Sequence, residues 1–241
     1  MKVSAVLFDV DGTLLNTERM YMEAWRIAAK EAGFLLPEEA LVRTRAIDRK
    51  SAERIMQSYC GGNFRYEEIW RRRVEITEEL YYQVDPKTMI KPGALEFLEY
   101  LDRRGIRKAV ATSTLADRSC PHLEYMGLLA PELCGKYPVP NRADVSFVKP
   151  KFDVTITGDD VVHGKPDPEI FLKAAAALGV VPRECIVCED SGAGVRAGYA
   201  AGAKVFMIPD CVPMKEDDAR YLYARLDTLA EAPALLEELE K

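Results

Sequence analysis

The chain has 241 residues, 48% of them hydrophobic, with 33 basic against 39 acidic side chains, a formal charge of −6 and a pI near 5.2. Such a length and apolar content bury a sizeable core and exclude intrinsic disorder. The acidic balance excludes a nucleic-acid polyanion as main partner, which needs clustered excess Lys and Arg. No apolar run approaches the ~20 residues of a membrane span, and the opening MKVSAVLFDVDG turns acidic after one short apolar run, unlike a signal peptide. A soluble, cytoplasmic monomer with no membrane partner is expected.

In chain order, Ala5–Phe8 is a short, continuously apolar run, as expected of a strand covered on both faces. Between Leu15 and Met89 no strand follows, only helix after helix. Tyr21, Ala24, Trp25, Ala28 and Ala32 recur at threes and fours and stop at Gly33; Pro37 opens a second, short helix. Ala52, Ile55, Met56 and Tyr59 mark a third, and Tyr66–Val84 a long, charged amphipathic one. The alternation then sets in. Helix Ala94–Arg104, closed by Gly105, precedes strand Lys108–Thr112, and a Pro-containing stretch, Ala130–Lys151, precedes strand Asp153–Thr157. Helix Pro168–Leu178, strand Cys185–Cys188, helix Gly192–Ala201 and strand Lys204–Ile208 complete it. The prediction is an α/β fold: a doubly wound, Rossmann-like, five-stranded parallel core (1–14 and 90–241) with an inserted all-helical cap (15–89).

The six cysteines do not read as a disulfide framework. Cys185 and Cys188 form a C-x-x-C within an apparent strand, where residues three apart point to opposite faces. The other four, Cys60, Cys120, Cys134 and Cys211, are scattered, as in a reducing compartment. His122 and His163 have no metal-ligand partners at suitable spacing and are read as structural.

Chemistry gathers at the strand ends. Ligands of open α/β sheets bind beyond the carboxyl ends of the strands, and the first strand runs into Asp9-Val10-Asp11-Gly12-Thr13 while the fourth ends in Glu189-Asp190-Ser191-Gly192. Four carboxylates at one edge repel unless a cation neutralises them; oxygen ligands with few protein contacts suit Mg²⁺. Thr112-Ser113-Thr114 offers hydroxyls and N–H groups for a phosphate, and Lys165 is held between a Gly and prolines. Together these make a phosphoryl-transfer site.

With these four regions in order, the whole chain resembles the haloacid dehalogenase superfamily, in its β-phosphoglucomutase-like and sugar-phosphate phosphatase branch, which carries a helical cap after the first strand. The resemblance implies Asp9 as nucleophile and Asp11 as acid and base. It implies Thr112, the Ser113 N–H and Lys165 around the phosphoryl group, and Mg²⁺ on Asp9, the Asp11 carbonyl, Asp190 and Glu189, the last directly or through water. An acid at Asp11 disfavours dehalogenation. Mutases of this branch place a His four residues after the Thr that corresponds to Thr17; here position 21 is Tyr21, and Thr13 stands where such mutases often carry Val. Hydrolysis of a small phosphomonoester, a sugar phosphate, is therefore expected; phosphomutase activity and a non-catalytic binding protein are the alternatives. Thr17, Tyr21, Arg45 and Arg49 are the candidate substrate contacts of the cap, and Arg71-Arg72-Arg73 reads as solvated surface. Residues 15–90 hold 13 basic and 13 acidic side chains and the remainder 20 and 26, so the whole charge of −6 belongs to the core.

Overall fold

The structure, a computed structural model, describes residues 2–44, 49–134, 151–210 and 214–241. The chain divides into two compact units, one of residues 1–16 and 86–241 and one of residues 17–85.

The larger unit is built on a parallel sheet of β1 (Ala5–Phe8), β2 (Arg107–Ala111), β3 (Val154–Ile156), β4 (Cys185–Glu189), β5 (Lys204–Met207) and β6 (Ala224–Arg225), in the order β3-β2-β1-β4-β5-β6. All four residues of β1 are fully buried, as are those of β4, which is why both runs read as uninterrupted apolar stretches. The sheet has six strands, not the five expected. β6 is two residues long, one half-buried and one exposed, so it carries no apolar signal and is defined by its pairing Phe206↔Ala224 and Met207↔Arg225 alone.

The helices of the smaller unit are α1 (Thr17–Glu31), α2 (Glu38–Arg43), α3 (Arg49–Cys60) and α4 (Tyr66–Tyr81); those of the larger are α5 (Pro86–Met89), α6 (Ala94–Arg104), α7 (Ala116–Tyr125), α8 (Pro131–Cys134), α9 (Glu169–Ala177), α10 (Gly192–Ala200) and α11 (Ala232–Glu240). Most of the Pro-containing stretch, from 135 to 150, lies outside the described residues.

The smaller unit has its own core. Ala24 and Ala28 of α1 are buried against Met56 of α3 and Ile69 of α4, with Trp25 beside Tyr66 at 5.6 Å and Phe34 edge-on to Phe64 at 5.1 Å. Tyr21 and Trp25 are half-buried at the rim of that stripe. On the outside, Arg72 reaches Glu31, Glu75 and Glu79. Exposed ion pairs of this kind contribute little stability, in keeping with a solvated face.

Two features of the larger unit prepare the site. First, strand order reverses around β1: the chain proceeds to β2 and β3 on one side, then returns to β4, β5 and β6 on the other. That switch point opens a crevice between the carboxyl ends of β1 and β4. Second, the segments leaving and re-entering this unit are laced together. Gly12 N–H donates to Leu15 O, Asn16 N–H to Met89 O and Lys91 N–H to Leu14 O, and Leu15 pairs antiparallel with Ile90.

Candidate active site

The register decides which acids meet. Phe8 lies opposite Cys188, and Asp9 N–H donates to Cys188 O at 3.0 Å, so the residues that follow these positions, Asp9 and Glu189, emerge side by side at the switch point. Phe8 also lies opposite Val110, which brings the end of β2 and Thr112 to the other flank of Asp9.

Lys165 ties the three strands. Its side chain is 6% exposed, and its ammonium donates to Asp9 Oδ1 at 2.6 Å, Glu189 Oε1 at 2.7 Å and Ala111 O at 3.0 Å. A buried cation with three acceptors is fully satisfied. Burial works against its charge, but Asp9 and Glu189 outweigh that and hold its pKa above the usual lysine range. For Asp9 the balance differs. Burial pushes its carboxyl above the usual carboxylate range, Lys165 pulls the other way, and Glu189 and Asp11 add to the rise.

Glu189, 1% exposed, is held from all sides. Beyond Lys165, its Oε2 accepts from the N–H groups of Asp190 (3.0 Å) and Ser191 (2.9 Å) and from Ser191 Oγ (2.9 Å). Ser191 in turn caps α10, accepting from Gly194 N–H at 3.0 Å. The start of a helix thus holds a carboxylate, as its dipole favours. Gly194 is required for the fit, since a Cβ there would stand 1.7 Å from Glu189 Oε1. Gly194→Ala is expected to expel the Glu189 carboxylate and cost about 3 kcal/mol, read as a lower denaturant midpoint at unchanged slope; an unaltered midpoint would show that the carboxylate has room to move.

One ligand atom each from Asp9, Glu189 and Asp190 lies within 4.8 Å of the others. Asp11, half-buried, accepts from Thr114 Oγ1 at 2.8 Å. Thr112, 1% exposed, accepts from Thr114 N–H at 3.1 Å, and Ser113 is exposed. The structure therefore brings together Asp9, Asp11, Thr112, Lys165, Glu189 and Asp190. Thr114, expected to face a phosphate, instead orients Asp11.

Of the expected cap residues, Thr17 and Tyr21 lie on α1 and Arg49 opens α3. Thr17 opens α1 and is buried. The ring of Tyr21 carries the Arg73 guanidinium at 4.6 Å. Arg49 is exposed, pairs with Glu67 at 2.5 Å and stacks on Trp70 at 3.9 Å, and Arg45 lies outside the described residues. Arg73 on Tyr21 is a departure from a purely solvated Arg71-Arg72-Arg73 run.

His163 also differs from expectation. It stands with Asp167 and Glu169 in a group of ligating spacing, its Nδ1 3.3 Å from Glu169 Oε2. The Glu169 carboxylate is already engaged by Lys173 and by the N–H groups of Val162 and His163, which lower its pKa to about 2 and brace the start of α9. Cys60, Cys185 and Cys188 are free thiols; burial raises Cys185 to about 11 and Cys188 further, so neither of these two is a reactive thiolate. The side chains of Cys134 and Cys211 lie outside the description.

Paired acids on β1, a lysine bridging β1 and β4, and hydroxyls after β2 define a hydrolase core of one family. The profile of the haloacid dehalogenase-like hydrolases matches residues 3–202, and the chain belongs to that family. It is 32% identical over 200 residues to a phosphorylated carbohydrates phosphatase of Thermotoga maritima, covering 83% of this chain and 82% of the relative. It is likewise 32% identical over 212 residues to hexitol phosphatase A of Escherichia coli (86% and 84%). A crystal structure from Thermotoga maritima assigned as a β-phosphoglucomutase superposes with a TM-score of 0.74 at 28% identity, covering 99% of each chain. None of the described helices is long and apolar enough to cross a membrane.

Proposed function

We propose that the protein is a Mg²⁺-dependent phosphatase of small sugar phosphates that works through an aspartyl-phosphate on Asp9. The observation that carries this reading is the buried contact of Lys165 with both Asp9 and Glu189 at 2.6 and 2.7 Å, beside an Asp11 held by Thr114. Carbohydrate-phosphate phosphatases among the relatives support the substrate class.

The acid set fits a divalent cation. The cluster of Asp9, Glu189 and Asp190 presents hard oxygen donors, and Asp9 carries a burial penalty that a nearby cation removes. Asp9, the Asp11 carbonyl and Asp190 would hold Mg²⁺. Glu189, whose Oε2 already accepts three hydrogen bonds, would reach it through water. When bound, Mg²⁺ would supply the charge neutralisation that lets an anionic phosphoryl group approach these acids.

The chain's own residues do the rest. The Asp9 carboxylate forms a bond to phosphorus as the ester P–O bond breaks, and Asp11 gives its proton to the leaving alkoxide. Asp11 then takes a proton from water, which attacks phosphorus and releases Asp9 with inorganic phosphate. Thr112 and the Ser113 N–H steady the equatorial oxygens. Lys165 fixes Asp9 in line and offsets charge gathering on the phosphoryl group. The cap, with Thr17, Tyr21, Arg45 and Arg49, selects the substrate.

Hydrolysis is favoured over phosphomutase action because position 21 carries a phenol and not an imidazole, the group suited to shuttling protons near neutrality, and the ring of Tyr21 is already covered by Arg73. The test is a panel of sugar phosphates with the purified protein. Mg²⁺-dependent phosphate release, abolished by EDTA and restored by excess Mg²⁺, is expected. Conversion of β-glucose 1-phosphate to glucose 6-phosphate without phosphate release would establish the mutase instead, and a silent panel would count against the hydrolase and for a binding protein.

A further inference from the structure

A fifth carboxylate belongs to this edge. Asp210 stands just past β5, its side chain 9% exposed. Its Oδ1 accepts from Lys91 Nζ at 2.8 Å; its Oδ2 is buried and has no hydrogen-bond partner among the described residues. A Cβ built on Gly12 would lie 2.3 Å from Asp190 Oδ2 and 3.3 Å from Asp210 Oδ2, so both carboxylates face the same point beside the Gly12 backbone. Gly12, at φ +84°, carries no Cβ there, which lets the Asp190 carboxylate approach its backbone.

A carboxylate oxygen buried without a hydrogen-bond partner is costly. Asp190, which shares the point beside Gly12, is itself an acid, and Lys91 already serves the other oxygen. The donor that suits an acidic cluster beside Asp190 is water polarised by a divalent cation.

We infer that Lys91 and Asp210 form an outer positioning pair of the metal centre, in which Asp210 Oδ2 accepts a hydrogen bond from a metal-bound water on the Asp190 side and Lys91 fixes the carboxylate. The inference rests on the Mg²⁺ reading above. Asp210 adds negative potential and a second-layer acceptor, both of which favour the cation; Lys91 orients that acceptor but its positive charge opposes the cation. The two partners therefore act on metal affinity with opposite signs.

Mn²⁺ is the probe, titrated into the full-length protein and followed by electron paramagnetic resonance, with thermal melts to check folding. Asp210→Asn is expected to raise the Mn²⁺ dissociation constant about 10–100-fold, and Lys91→Met to lower it severalfold. A merely structural pair loosens the site in the same direction in both variants. That result, or wild-type affinity in Asp210→Asn, overturns the inference. Should Asp210→Asn not fold, Lys91→Met decides alone: tighter binding supports the pair, and unchanged or weaker binding rejects it. Asp190→Asn separates the two levels. Wild-type Mn²⁺ binding in that variant removes the metal reading itself, whereas weak binding there with an unaffected Asp210→Asn removes only the outer pair.

Discussion

Lys165→Met is expected to lower stability by about 3–5 kcal/mol, the cost of leaving buried charge without its partner, and to suppress turnover below detection. The ammonium is the counter-charge described for Asp9 and Glu189 together, at 2.6 and 2.7 Å. Methionine fills much the same volume, so the loss is electrostatic, not steric. In the wild type the raised pKa of Lys165 keeps this contribution intact across the neutral range, and it is lost only when pH rises beyond the ordinary lysine range.

In the variant the Asp9 carboxyl, already raised by burial, loses the pull that opposed it. The folded state then holds protons that the unfolded state gives up, so the deficit widens as pH climbs from acid towards neutral. Urea denaturation in EDTA at several pH values reads this directly. Added Mg²⁺ is expected to recover part of the stability. Equal stability of variant and wild type at neutral pH would mean that Asp9 and Glu189 do not share a charge on Lys165.

Asp9→Asn separates chemistry from folding. The amide is nearly isosteric, cannot open the ester as a nucleophile, and leaves Lys165 its contacts with Glu189 and Ala111 O. Turnover is expected to fall by about 10⁴-fold or more, while the melting temperature in EDTA stays at or above that of the wild type, because a buried carboxylate has been replaced by a neutral group. Brief incubation with substrate should give a hydroxylamine-labile phosphate adduct on a peptide containing Asp9 in the wild type and none in the variant. Retained hydrolysis in Asp9→Asn would exclude the covalent route.

The acids of this site were legible because they follow the strongest signals in the chain. β1 and β4 are fully buried, so their ends are sharp; Asp9 and Asp11 come just after β1, and Glu189 closes β4 with Asp190 next. What escaped was written in contacts between distant segments. β6 carries no apolar pattern and exists only through its ladder with β5. Asp210 obeys the same strand-end rule as Asp9, but β5 ends near a single acid, with no neighbouring acid or glycine to draw notice. Lys91 is bland in sequence, and only the lacing of the two linker segments brings it to Asp210. Thr114 was visible as a hydroxyl, yet its hydrogen bond to Asp11 is a matter of side-chain direction. Asp167 and Glu169 stand four and six residues beyond His163, a grouping that takes shape only once the turn before α9 is folded.

The hydrogen bonds joining Leu14–Asn16 to Met89–Lys91 make residues 17–85 a loop whose two ends are fastened to each other. Chain-closure entropy grows only with the logarithm of loop length, each doubling adding about 0.6 kcal/mol. An insertion at this point can therefore lengthen, shorten or be exchanged with little effect on the core. The clasp stands next to Asp11 in the sequence, so variation in the inserted segment is uncoupled from the chemistry that begins only a few residues before it.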